Sequence, residues 1–131
     1  MKLQKITFVF IALTFLVFFS CSNAPKENNI TVTELYELLK DAEVTVLDVR
    51  TPEEVAEGKI TGKALEANFY DDTFVADVTS KIAKDQTIYV YCKSGRRSGK
   101  TVVTLRELGY SKTYNVEGGI KAWKAAGYEI E

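Results

Sequence analysis

Thr87-Ile88-Tyr89-Val90-Tyr91-Cys92-Lys93-Ser94-Gly95-Arg96-Arg97-Ser98 is an apolar, strand-like stretch that breaks into a cysteine, a glycine-bearing turn and a cluster of cations. From Ser98 to Leu108 the chain continues at helical spacing, and Gly109 closes that helix. Strand, tight turn and helix in this order predict a connection of a parallel α/β sheet, with Cys92 at the carboxyl end of a buried strand. A thiol so placed faces the positive end of the next helix, where unpaired backbone N–H groups favour a thiolate. The chain has no histidine. Activation of Cys92 therefore falls to this backbone and to its cations, not to an imidazole base.

Working outward, Val44-Thr45-Val46-Leu47-Asp48-Val49 is a second, nearly continuous β-branched run, as expected of a strand buried on both faces. Its end is polar, at Asp48 and Arg50. Thr51-Pro52-Glu53-Glu54 supplies a cap, a proline at the first helical position and a capping-box glutamate, predicting a short helix to Glu57 that Gly58 stops. Residues 30–32 form a short β candidate, and Thr33 can cap a helix over 34–40. Residues 60–72 read mostly as loop, with 65–69 tucked against the core, before helical spacing returns over 74–83. Thr113-Tyr114-Asn115-Val116 is the next strand, and Glu117-Gly118-Gly119 turns into a last helix over 120–126 with Trp123 on its core face. Strands alternating with short helices predict one α/β domain, a mostly parallel central sheet with helices on both faces. Ligands of such sheets bind outside the carboxyl strand ends, where Cys92 and Asp48-Val49-Arg50 both lie.

The first 20 of the 131 residues read differently. Met1-Lys2-Leu3-Gln4-Lys5 is a basic start, residues 6–19 are almost wholly apolar, and Ser20-Cys21 closes the three-part pattern of an export signal. A bilayer-spanning helix needs about 20 apolar residues, so a 14-residue run favours a cleaved signal over a spanning anchor. Cys21 after the small Ser20 resembles the lipobox of bacterial lipoproteins, although Phe18 stands where leucine is commonest. The expectation is an exported periplasmic or envelope protein, membrane-tethered through a lipid on Cys21. Residues 21–29 read as a flexible tether and 30–131 as the folded domain. Cys21 and Cys92 make a poor disulfide pair, so Cys92 is expected to be a free thiol.

Seventeen basic and 18 acidic residues give a net charge of −1, and nothing suggests a nucleic-acid partner. Basic character is local, at Lys93, Arg96, Arg97 and Lys100, which points to a small anionic ligand at one site. No metal or cofactor is expected, and the chain is expected to be monomeric.

Three separated segments together resemble the rhodanese-like sulfurtransferase family, in order and approximate spacing. They are Leu47-Asp48-Val49-Arg50-Thr51-Pro52-Glu53-Glu54, Cys92-Lys93-Ser94-Gly95-Arg96-Arg97-Ser98 and Val116-Glu117-Gly118-Gly119-Ile120-Lys121-Ala122-Trp123. The resemblance implies a cysteine that accepts sulfane sulfur as a persulfide and passes it to a thiophilic acceptor, with thiosulfate and cyanide as the usual assay pair. One departure is Gly58-Lys59-Ile60-Thr61-Gly62, where many members have Gly-His-Ile-Pro-Gly. Lys59 could add positive charge to the pocket mouth there.

This chemistry suits the residues. An ordinary thiol of pKa about 8.5 is only a few per cent ionised at neutral pH, whereas loop amides and a helix start can lower that value to roughly 3.5–7.5. Attack on the outer sulfur of an anionic donor displaces a stable anion such as sulfite, which needs little protonation, so the lack of histidine costs the reaction little. A cysteine protease or Ser-His-Asp hydrolase would lose its base. Cys92 is assigned as nucleophile and persulfide carrier in the anion-binding loop of Lys93, Ser94, Gly95, Arg96, Arg97 and Ser98. Gly95 permits a tight turn with inward amides, Arg97 braces the loop or contacts the donor, and Lys93 and Arg96 line the mouth. Arg96 can equally be a solvated surface charge. Asp48 and Arg50 are read as structural support through an ion pair. The acceptor would be a thiol or cyanide. Two alternatives are a non-catalytic sulfur carrier or redox sensor, and a cysteine-dependent phosphatase. The phosphatase pattern requires arginine six residues after the cysteine, and here that position is Ser98.

Overall fold

The computed structural model describes residues 24–131. Five parallel strands form one sheet in the order β1-β5-β4-β2-β3. They are β1 (Asn29–Ile30), β2 (Thr45–Asp48), β3 (Leu65–Glu66), β4 (Ile88–Tyr91) and β5 (Thr113–Val116). Each strand is followed by a helix: α1 (Val32–Asp41), α2 (Pro52–Ala56), α3 (Phe74–Lys81), α4 (Arg96–Glu107) and α5 (Gly119–Ala125). Two-sided burial follows from the strand sequences, since successive side chains point to opposite faces. Leu47, Val49, Ile88 and Val90 pack with Phe74 and Val78 of α3 and Val102 and Leu105 of α4. Val46, Tyr91 and Val116 pack on the other face with Val32 and Leu35 of α1 and Ile120 and Trp123 of α5. Cys92 continues the parity of Ile88 and Val90 and belongs to the α3–α4 face. Leu35, Leu47, Ile88 and Leu105 are essentially fully buried, each stabilising the fold by about 1.5–3 kcal/mol relative to exposure.

The helix starts explain the local differences from the sequence reading. Thr31 rather than Thr33 caps α1, because Glu34 stands three residues after it. The Thr31 hydroxyl accepts from the Glu34 amide at 3.1 Å, while the Glu34 carboxylate accepts from the Thr31 amide at 2.7 Å. This reciprocal capping box draws Val32 into the helix and leaves Asn29–Ile30 as the strand. Thr51 caps α2 as expected, with Pro52 in the first turn. In α4 the helix begins at Arg96, not Ser98, since Gly95 takes a left-handed φ of 95° that ends the loop early.

The expected flexible tether over 21–29 is corrected for its described part. Ala24 is buried in the cluster that contains Cys92, Lys26–Asn28 make a 3-10 turn, and Asn29 pairs with Asn115 at the β5 edge. A small residue at position 24 fits beneath the sheet edge, and the Asn115 amide donates to the Asn29 side chain at 3.2 Å. The expected signal segment and Cys21 lie outside the described residues. Among the described residues no helix is long and apolar enough to cross a membrane.

Candidate active site

Cys92 follows β4 directly, and its neighbours on the sheet fix its height: the Val49 amide donates to the Tyr91 carbonyl at 3.0 Å, extending the β2–β4 pairing to the loop. Below Cys92 the strand is locked; beyond it the chain must turn. The turn is stapled from behind by the start of α5, where Ile120 and Lys121 amides donate to the Cys92 and Lys93 carbonyls at 2.9 and 3.0 Å. That close approach needs Gly119, which has φ +58°, because a β-carbon there would overlap both carbonyl groups.

The thiol is 1% exposed. Its sulfur accepts from the Gly95 amide at 3.1 Å and from the Ser98 hydroxyl at 3.3 Å. Burial alone pushes the Cys92 thiol up, but the Ser98 hydroxyl and the amides of Ser98, Gly95 and Ser94 outweigh it and hold the thiol below its ordinary value. The donors that stabilise the thiolate are thus mostly neutral dipoles at the start of α4, consistent with an anion held at a helix N-terminus.

The cations take different parts from those the sequence suggested as a group. Arg97 is 14% exposed and pairs bidentately with Glu54 of α2, both nitrogen–oxygen distances being 2.8 Å. The pairing raises the Arg97 guanidinium and lowers the Glu54 carboxyl, in each case chiefly through these hydrogen bonds. Arg97 therefore acts as a brace between α2 and α4. Lys93, Ser94, Arg96 and Lys100 are exposed, and Ser94 and Arg96 line the small cavity beside the loop. Lys59 does not extend this cationic rim: its ammonium donates to the Ala64 carbonyl at 2.8 Å and lies 3.4 Å from Glu66. Its own backbone pairs with Glu131, which anchors it in the scaffold.

Asp48 and Arg50 meet in a fully buried ion pair, with the closest contact at 2.7 Å and side chains 0% and 3% exposed. Asp48 shares the sheet face of Val46 and Tyr91, opposite to Cys92. The Tyr91 hydroxyl donates to the Asp48 carboxylate and accepts from the Ile60 amide at 3.3 Å. Burial and the Asp48 charge push the Tyr91 phenol up, so it remains a donor. Arg50 reaches the carbonyls of Glu54 and Gly58 at 3.1 and 2.7 Å. The group ties β2, β4, α2 and the Gly58 turn together.

Glu54, Tyr91 and Gly119 are the functional-site residues that sequence reasoning passed over. Glu54 was legible only as a capping-box glutamate, and half of that box forms: Thr51 Oγ1 caps the Glu54 amide at 3.3 Å, while the Glu54 carboxylate holds Arg97 in place of the Thr51 amide. The two roles use different atoms of one residue.

Comparison with known proteins assigns the fold to a family. Residues 31–126 match the rhodanese-like domain. A sulfurtransferase of Allochromatium vinosum is 36% identical over 104 residues, covering 79% of this chain and 94% of the relative. The thiosulfate sulfurtransferase GlpE of Pseudomonas putida is 35% identical over 89 residues, covering 68% and 77%. The crystal structure of a rhodanese-like domain protein from Staphylococcus aureus superposes with a TM-score of 0.67 at 37% identity, covering 79% of this chain and 98% of that one. The chain belongs to the rhodanese-like family, and at the level of that family it is a sulfurtransferase.

Proposed function

We propose that the protein moves sulfane sulfur from an anionic donor such as thiosulfate to a thiophilic acceptor through a persulfide on Cys92. The observation that carries this reading is the pair of donors on the Cys92 sulfur, the Gly95 amide and the Ser98 hydroxyl, which favour the thiolate without any acid or base. The Cys92 thiolate attacks the outer sulfur of thiosulfate, a new sulfur–sulfur bond forms to Sγ, and the electron pair of the old bond leaves with sulfite. The persulfide carries the negative charge on its outer sulfur, within reach of the loop amides. Cyanide or a thiolate then attacks that sulfur and returns Cys92 to its thiolate form. Each step is a displacement at sulfur between anions, so fixed donors can do the work that proton transfer does elsewhere. Exposed Lys93 and Arg96 draw the anionic donor to the mouth.

Intact-mass measurement after incubation with thiosulfate tests this: a gain of about one sulfur atom, removed by cyanide as thiocyanate and absent in Cys92→Ser, is expected for persulfide chemistry. No mass gain on the wild-type chain would sink the enzyme reading.

The same proposal includes export and a lipid anchor on Cys21, supported by the basic, apolar and Ser20-Cys21 pattern of the first 21 residues. Fatty-acid labelling in cells that persists in Cys21→Ala would end that part of the reading. The folded domain is proposed to act as a monomer.

A further inference from the structure

We propose that Tyr70 is the specificity-determining residue for the sulfur acceptor, and that the acceptor it selects is an organic thiol with an apolar body. This rests on the reading of Cys92 as a persulfide carrier. Tyr70 is 66% exposed, whereas the other exposed large apolar residues, Val75, Leu108 and Ile130, reach only 38%, 42% and 37%. Its position is nevertheless defined. The ring meets Phe69 edge-on at 5.5 Å, Phe69 meets Phe74 at 5.5 Å, and the Tyr70 amide donates to the Asn68 side chain at 3.1 Å. The Arg97 guanidinium lies 5.5 Å from the ring centroid and is itself oriented by its two bonds to Glu54. The Tyr70 ring thus offers solvent an ordered, amphipathic aromatic face, a side chain suited to contact with an apolar group.

The ring flanks the nucleophile loop through Arg97, whose guanidinium lies 5.5 Å from its centroid. The Phe69 amide donates to the Val49 carbonyl at 3.2 Å, and Val49 pairs with Tyr91, so Tyr70 lies at the carboxyl end of the sheet, across β2 from Cys92. Arg97 bridges the two, preceding Ser98, whose hydroxyl touches Sγ. The opposite side of the loop is polar: Ser94 and Arg96 border a cavity of about 210 Å³ that Asn115 and Glu117 also line. The mouth thus has a polar, cation-bearing wall toward β5 and an aromatic wall toward β2.

Acceptor attack is in line with the sulfur–sulfur bond, so the nucleophile enters from outside the loop. The acceptor thiolate bonds to the outer sulfur, the bond from that sulfur to Cys92 Sγ breaks, and its electron pair stays on Sγ. Cyanide completes this step without reaching the ring. A thiol must lead its carbon body out past Tyr70, where ring contact is expected to strengthen binding about three- to ten-fold.

The test uses persulfide-loaded protein with benzyl mercaptan, 2-mercaptoethanol and cyanide as acceptors. Tyr70→Ala is expected to raise the KM for benzyl mercaptan about three- to ten-fold relative to the KM for cyanide, with little change for 2-mercaptoethanol, and Tyr70→Phe to keep the wild-type ratio. An unchanged ratio in Tyr70→Ala, or cyanide and benzyl mercaptan slowed alike, would overturn the proposal, the second outcome meaning that the ring only braces Arg97. Failure of the wild-type chain to load sulfur would overturn the persulfide reading beneath it, and is seen before any acceptor is added.

Discussion

The Ser98 hydroxyl, on the third residue of α4, donates to the Cys92 sulfur at 3.3 Å from a position with no solvent exposure. A buried hydrogen bond to an ion is worth more than one to a neutral group, about 1.5–3 kcal/mol. Ser98→Ala should therefore move the midpoint of Cys92 alkylation by iodoacetamide up by about one pH unit and slow thiosulfate loading at pH 7 about ten-fold. An unmoved midpoint would mean that the loop amides hold the thiolate alone.

The same depressed thiol makes folding pH-dependent. The donors favour the charged form, so the folded Cys92 titrates below its unfolded value, and the stability this contributes is fully present above about 8.5, the ordinary thiol pKa. It is lost as pH falls through the folded pKa. Urea unfolding should accordingly show stability rising with pH between the folded pKa and about 8.5, and Cys92→Ser should remove that slope. Equal slopes in the two proteins would refute the assignment.

Glu54 and Arg97 connect α2 to the first turn of α4 across 43 residues of sequence. Both side chains are only partly exposed, at 28% and 14%, so the bidentate pair is screened less than a surface bridge. A double-mutant cycle of Glu54→Gln and Arg97→Met should give a coupling energy of about 1–2 kcal/mol. Coupling near zero would make Arg97 a free donor-binding cation after all.

Asp48→Asn should separate scaffold from chemistry. It leaves the Arg50 charge buried without its partner, and breaking such a pair costs about 3–5 kcal/mol. Chemical denaturation should show that loss, while thiosulfate loading of the fraction that remains folded stays close to wild type, because the Asp48 side chain lies on the opposite face of the sheet from Cys92. A loading defect larger than the folding defect would place Asp48 in the reaction.

Sheet and site were legible where a residue's role is local. The β-branched run at 44–49 and the apolar run at 87–91 announce buried strands by their periodicity, and the Cys92 turn announces itself by its glycine and cations. Partners set by long-range packing were not legible. Nothing near Arg97 in sequence points to Glu54, and nothing near Asp48 points to the hydroxyl of Tyr91. Backbone amides and cations were expected to act on the thiol together; the direct partners are the Gly95 amide, as expected, and the neutral Ser98 hydroxyl, because burial at 1% exposure favours compact donors already fixed by the helix start. Thr31 was legible in principle, since Glu34 completes its capping box, but the β-branched Val32 pulled the reading toward strand.

Gly119 carries the last prediction, since it joins the closing motif to the nucleophile loop. Its φ of +58° is in the left-handed region, where a non-glycine residue costs about 1–2 kcal/mol, and a β-carbon there would overlap the carbonyl oxygens of Cys92 and Lys93. Those two carbonyls accept the Ile120 and Lys121 amides, so relieving the overlap must pull α5 away from the loop or twist the loop itself. Gly127 provides the control: its φ is +80° and nothing lies within 4 Å of an added β-carbon. Gly127→Ala should therefore cost only the backbone strain, about 1–2 kcal/mol, with normal Cys92 alkylation. Gly119→Ala should cost more and also slow alkylation of the folded protein at pH 7, because the Gly95 amide and the Ser98 hydroxyl can no longer both reach the sulfur. Equal stability losses with equal alkylation rates in the two variants would show that α5 does not hold the loop in register.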